Sequence, residues 1–176
     1  MKKSKIIKRL SECVISHALC GVEFKNCESY FENYFPLKVN ENFFLGAIED
    51  DFQLDGFRIW PISKISKAKV RKGKRLDIEI SEGIVDQLYT PKVNISGWKQ
   101  IFRSLKDLNR YVMIETDDFM YVGSIIRIKK HSVIIKHFDA EGVWQEEPVK
   151  IRFDEIQSVT FGSRYVEVFS KYVPML

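Results

Sequence analysis

From Tyr111 to Phe161 the chain breaks into short runs of β-branched and aromatic residues separated by turn residues, a pattern that rules out a helical bundle. The runs are Tyr111-Val112-Met113-Ile114-Glu115, Met120 to Ile128, Ser132 to Phe138, Val149 to Phe153 and Ser158 to Phe161. Thr116-Asp117-Asp118, Asp139-Ala140-Glu141-Gly142 and Asp154-Glu155-Ile156 supply breaks between them. Arg164 to Tyr172 is a further apolar run that closes the chain. One helix precedes these strands. Trp98, Ile101, Phe102, Leu105 and Leu108 mark one helical face, with Ser96 as the expected N-cap and Asn109 as the expected end.

The same order lies in the first half. Ile6, Ile7, Leu10 and Val14 have helical spacing, and Leu19 to Phe24 reads as the next strand. Tyr30 to Leu37 then overlays Tyr121 to Ile128, Asn42 to Glu49 overlays Ser132 to Asp139, and Phe57 to Ile65 overlays Val149 to Ile156 with a one-residue slip. The expected fold is mainly β (α+β), two similar units in which a short helix precedes a small five-stranded barrel. The expected boundaries are 1–82, a linker at 83–95 that holds Thr90-Pro91 and Asn94, and 96–176. One continuous sandwich without a true repeat is the alternative, because alternating apolar residues overlay one another easily.

With 176 residues, 45% of them hydrophobic and 13% aromatic, the chain has enough apolar surface for packed cores. No apolar run approaches the roughly 18 residues of a membrane helix, so no membrane partner is expected. The start MKKSKIIKRLSECVISHALCG is basic, but Ser11, Glu12, Ser16 and His17 interrupt the apolar stretch that a secretory signal needs. Cys13, Cys20 and Cys27 are odd in number and form no CxxC pair, which fits reduced thiols; the expected compartment is the cytoplasm. The formal net charge is +4, with 15 basic and 9 acidic residues in 1–76 against 13 and 15 in 77–176.

The pattern Val112-x-Ile114, Val122-Gly123-Ser124-Ile125-x-x-Ile128 and Val133-Ile134-Ile135 ending at Phe138-Asp139 resembles the opening strands of Sm-like and SH3-like barrels. Gly123 falls where the bent second strand of such a barrel often carries a glycine. RNA-binding Sm proteins place an Asp-x-x-Asn-type loop and a later Arg-Gly pair where this chain has Lys129-Lys130-His131 and Arg152-Phe153-Asp154. The resemblance therefore implies the fold without the uridine-reading site. The chain also resembles uncharacterised small bacterial proteins, through Phe52 to Phe57, Phe138 to Trp144, Phe161 to Tyr165 and Ser170-Lys171-Tyr172, a likeness that implies no activity.

Catalytic motifs are missing: there is no GxGxxG, no GxxxxGK[ST] and no GxSxG, so no catalytic residues, metal ligands or cofactors are assigned. Cys13, His17 and Cys20 at i, i+4 and i+7 test for zinc, but a structural site needs four ligands. They read instead as a packed thiol, a helix end and a strand residue. His131 and His137 lack a specified acid/base partner. Glu49-Asp50-Asp51 with Asp55, and Asp139 with Glu141, Glu146 and Glu147, fall in the same loop of each overlaid unit and read as solvated turns. Lys64, Lys67, Lys69, Arg71, Lys72, Lys74 and Arg75 put seven cations into twelve residues, enough to neutralise phosphates. Their bland reading is an outward strand face followed by a hairpin tip at Gly73.

Three functions follow. The first is a non-enzymatic module that binds another protein, such as an immunity-type or regulatory adaptor protein. The second is a nucleic-acid binder using residues 64–75. The third, an enzyme of unknown class, has no signature in its favour.

Overall fold

The computed structural model describes residues 1–25, 31–108 and 110–174; Cys27, Tyr30 and the expected helix end at Asn109 lie outside them. The fold is mainly β with helices, of the α+β class, and no helix is long and apolar enough to cross a membrane. The chain divides into two units, Met1–Pro91 and Lys92–Leu176.

In the first unit, α1 (Lys3–Ser16) precedes β1 (Cys20–Phe24), β2 (Phe31–Val39), β3 (Phe43–Asp50) and β4 (Gln53–Pro61). A 3-10 turn (Ile62–Lys64) leads to β5 (Ile65–Val70), and α2 (Lys74–Ser81) and a second 3-10 turn (Val85–Gln87) follow. The strands pair antiparallel in the order β5-β1-β2-β3-β4. Helix α1 forms because Ile6, Leu10 and Cys13 recur at four- and three-residue spacing, and all three are buried. They pack with Val22, Phe24, Tyr34, Phe44, Trp60, Ile65 and Ala68 from the sheet. Each large apolar side chain removed from water there contributes about 1.5–3 kcal/mol.

The second unit runs α3 (Trp98–Asp107), β6 (Val112–Glu115), β7 (Met120–Ile128), β8 (Ser132–Phe138), β9 (Val149–Arg152), β10 (Ser158–Phe161) and α4 (Arg164–Tyr172). Within it the order is β10-β6-β7-β8-β9, again antiparallel. Gly97, not Ser96, occupies the N-cap of α3; the Ser96 amide donates to Asn94 Oδ1 at 2.9 Å, which turns the chain before the helix starts. The apolar run at 164–172 is a helix because the Ser163 hydroxyl accepts from the Val166 amide, and Val166, Phe169 and Val173 then share one face against Met113, Val122 and Phe138.

Pairing registers show how alike the units are. Tyr34 lies opposite Cys20 on one side and Ile48 on the other, as Gly123 lies opposite Val112 and His137. Two residues further on, each strand carries a bulge, between Pro36 and Lys38 in β2 and between Ile125 and Arg127 in β7. Turn bonds match as well: Asn40 N to Phe43 O is paralleled by Lys129 N to Ser132 O, and Ile62 N to Asn42 O by Phe153 N to His131 O. The sequence overlay sets Tyr34 against Ile125, two residues from its register counterpart, which keeps the same face toward the core.

Among the described residues the two outer strands of each order, β5 with β4 and β9 with β10, do not pair with each other, so neither sheet closes into the expected barrel. A physical reason is visible at β5. Two of its carbonyls are occupied, Ala68 O by Arg9 Nη1 of α1 at 2.6 Å and Ser66 O by the amino group of Met1, which precedes α1, at 2.9 Å, so this edge of the first unit is covered.

Candidate functional site

The basic run is split by the fold. Lys64 ends the 3-10 turn, Lys67 and Lys69 stand on the outward face of β5, and Gly73, at φ 86°, opens α2 where a hairpin tip was expected. Three of the seven cations are committed to neighbours. Lys67 Nζ is 3.1 Å from Glu23 Oε2. Arg71 Nε donates to Asn33 Oδ1 at 3.2 Å, and its guanidinium stands 5.3 Å from the Phe31 ring centre. Arg75 is bonded to Glu49 at 2.6 Å and lies 4.2 Å over Phe52. Lys64, Lys69, Lys72 and Lys74 are left for a phosphate backbone, scattered over three elements. No aromatic stacking surface lies among them.

The carboxylate-rich turns follow different rules. Asp51 and Phe52 take left-handed φ values of 44° and 63° at the β3–β4 turn, and Glu49, on β3 just before that turn, is buried at 4% exposure. Sequence reading placed Glu49 in solvent with Asp50 and Asp51, which are exposed as expected. Asp139, by contrast, organises its own loop, accepting from the Glu141 and Val143 amides at 3.1 and 2.9 Å.

Cys13 and Cys20 are both buried in the first unit's core, while His17 is an exposed left-handed residue that ends α1. A hydrogen bond to Cys13, then burial, pushes the Cys20 thiol up. Neither thiol faces water. Among the described residues no group of three or more His, Cys, Asp or Glu side chains is placed to hold a metal ion. His131 lies in the β7–β8 turn and His137 in β8, where burial and then Lys136 depress its pKa. Lys129-Lys130-His131 form the turn between β7 and β8, and Arg152-Phe153-Asp154 stand at the end of β9, where Arg152 is held by its neighbour Asp154.

One surface has the composition of a recognition site. The β6–β7 hairpin presents Phe119 and Met120 to solvent, 64% and 54% exposed, with Phe119 and Tyr121 ring centres 5.9 Å apart. Thr116 braces the turn, its Oγ1 accepting from the Phe119 amide at 3.0 Å. Beside it is a cleft of about 250 Å³ lined by Asp117, Asp118, Lys150, Ile151 and Glu155. The β6–β7 ladder and the Thr116 bond define the backbone that carries these side chains. Sequence reading saw Met120 and Tyr121 as strand residues; the outward direction of the tip follows from the turn at Asp117-Asp118, a signal that names a turn without saying which side chains it exposes.

Comparison of the chain with protein-family models, with curated proteins and with solved structures gave no match in any of the three.

Proposed function

We propose that the chain is a non-enzymatic protein-binding module of the immunity-type or regulatory-adaptor kind, built from two Sm-like/SH3-like strand orders and using the β6–β7 hairpin as its contact surface. The supporting observation is the exposed pair Phe119 and Met120 beside an acidic-rimmed cleft. Isolated exposed apolar residues are ordinary, but two large ones at a braced turn, next to a second aromatic ring, form a patch of the kind that interface centres use. Asp117, Asp118 and Glu155 around it favour a partner whose apolar contact is rimmed by Lys or Arg.

The test is enrichment from cells that make the protein, with the wild type against Phe119→Asp/Met120→Asp, followed by reconstitution from purified components. A protein that binds the wild type at micromolar or tighter concentration and binds the double variant at least ten times more weakly supports the reading. Equal binding of both forms refutes the hairpin as the surface.

Nucleic-acid binding through Lys64, Lys67, Lys69, Arg71, Lys72, Lys74 and Arg75 is the second reading, favoured by the four cations without a partner side chain. On our reading, generic DNA or RNA binds no tighter than the roughly 10⁻⁴ to 10⁻⁶ M of non-specific electrostatic contact at physiological salt.

A further inference from the structure

Two carboxylates and one guanidinium meet under α2. The side chains of Glu49, from β3, and Glu79, from α2, are each fully shielded from solvent. Arg75, one turn before Glu79, places Nη2 2.6 Å from Glu49 Oε1, while its Nε is 3.4 Å from Glu79 Oε1 and makes no hydrogen bond. Glu49 Oε1 also accepts from the Phe52 amide at 2.9 Å. Glu49 Oε2 and both oxygens of Glu79 have no hydrogen-bonded cation or amide. With both carboxylates ionised, the cluster would hold two negative charges against one positive, with Arg75 spent on Glu49. A buried charge in that position costs several kcal/mol, so the arrangement calls for one more positive charge.

We propose that Glu49 and Glu79 share a proton, donated by the Glu79 carboxyl to the Glu49 carboxylate, and that this proton is the latch that holds α2 on the first unit's sheet. Deprotonation leaves two facing carboxylates and releases α2, exposing the residues it covers.

Among the described residues no other positive charge is shown bonded to either carboxylate. On β2 and β4 the residues opposite Glu49 are the neutral Asn33 and Leu54. Arg71, another cation of the same run, is bonded to Asn33. Lys74, Asp77 and Glu82 on and after α2, Asp86 on the 3-10 turn packed against it, and Asp50 and Asp51 in the β3–β4 turn are all exposed. Burial first, then the charge of Glu49 and the hydrogen bond to it, push the Glu79 carboxyl up to about 7, with Arg75 pulling the other way. The folded state thus holds a proton that the unfolded chain has already lost above the ordinary glutamate pKa. Stability from this group is complete below about pH 4.5 and is lost as pH rises through about 7.

The experiment follows side-chain ¹³C shifts of the glutamates of the wild type through pH 4 to 9, with hydrogen exchange of residues 72–87 and Tm measured in parallel. The expected result is one glutamate that titrates near 7, together with exchange protection of α2 that falls as that group ionises. Glu79→Gln, which keeps a donor toward Glu49 at every pH, is expected to keep α2 protected at pH 8. Between pH 5 and 8 its Tm is expected to fall less than that of the wild type, by at least about 4 °C. Glu82→Gln, exposed beside the same helix, is expected to behave as the wild type. The proposal is overturned if every glutamate of the wild type titrates below about 5.5, a result that needs no variant to fold. It is also overturned if Glu79→Gln loses α2 protection with the same pH dependence as the wild type.

Discussion

The indole Nε1 of Trp60 donates to the hydroxyl of Tyr34 at 3.1 Å, inside a core where Tyr34 is wholly shielded from solvent. The Tyr34 hydroxyl passes its own hydrogen to Glu32, and Arg58 Nη1 closes the chain on Glu32 Oε2 at 3.1 Å. A polar path thus runs from the middle of the apolar cluster to the sheet's margin with every donor placed, which is what lets β2 and β4 carry polar atoms through the core.

Replacing Tyr34 by Phe leaves the ring contacts with Phe24 and Phe44 and removes only the oxygen, so the Trp60 N–H loses its acceptor. The expected cost is about 1–3 kcal/mol in urea denaturation, with an unchanged m-value. Burial holds the Tyr34 hydroxyl well above the ordinary tyrosine range, so ultraviolet titration of the folded protein is expected to find this tyrosine protonated beyond pH 10.

Gly123 and Gly21 both sit in strands, and a side chain meets different obstacles at each. A Cβ on Gly123 would lie 2.0 Å from the Lys136 carbonyl oxygen, backbone that cannot yield without breaking the β7–β8 ladder. At Gly21 the nearest atoms, 2.8 Å away, belong to the flexible end of Arg71. Gly123→Ala is expected to cost about 3 kcal/mol or more and Gly21→Ala about 1 kcal/mol or less, compared by thermal melts of the two variants.

Strand content was legible where alternation is strong, as in β7 and β8, and the helical face of α3 was legible from Trp98 to Leu105. Local pattern ran out where the deciding contact is distant. Arg71-Lys72-Gly73-Lys74-Arg75 has the composition of a turn, yet Gly73 starts α2, where Arg75 is placed to bond Glu49, distant in sequence on β3. Glu49 stands beside Asp50 and Asp51 in the sequence, and no local pattern separates this buried carboxylate from its two exposed neighbours. In the first unit Arg9, a residue of the first helix, occupies a carbonyl on β5, a distant contact that no local pattern announces.

Arg9 caps that edge, and its loss uncovers it. Arg9→Ala frees the Ala68 carbonyl for pairing with another chain. The variant is expected to self-associate at concentrations where the wild type does not, read as a rise in weight-average mass by analytical ultracentrifugation. Its stability is expected to fall by about 0.5–1.5 kcal/mol.

We propose the hairpin that carries Phe119 and Met120 as the working surface of this protein. A photoreactive amino acid placed at position 119, and separately at Lys74, in cells that make the protein compares protein binding with nucleic-acid binding directly. A discrete protein adduct from position 119 that Met120→Asp abolishes is expected, with no enriched nucleic-acid adduct from position 74. Nucleic-acid adducts at 74, with none to protein at 119, would contradict it.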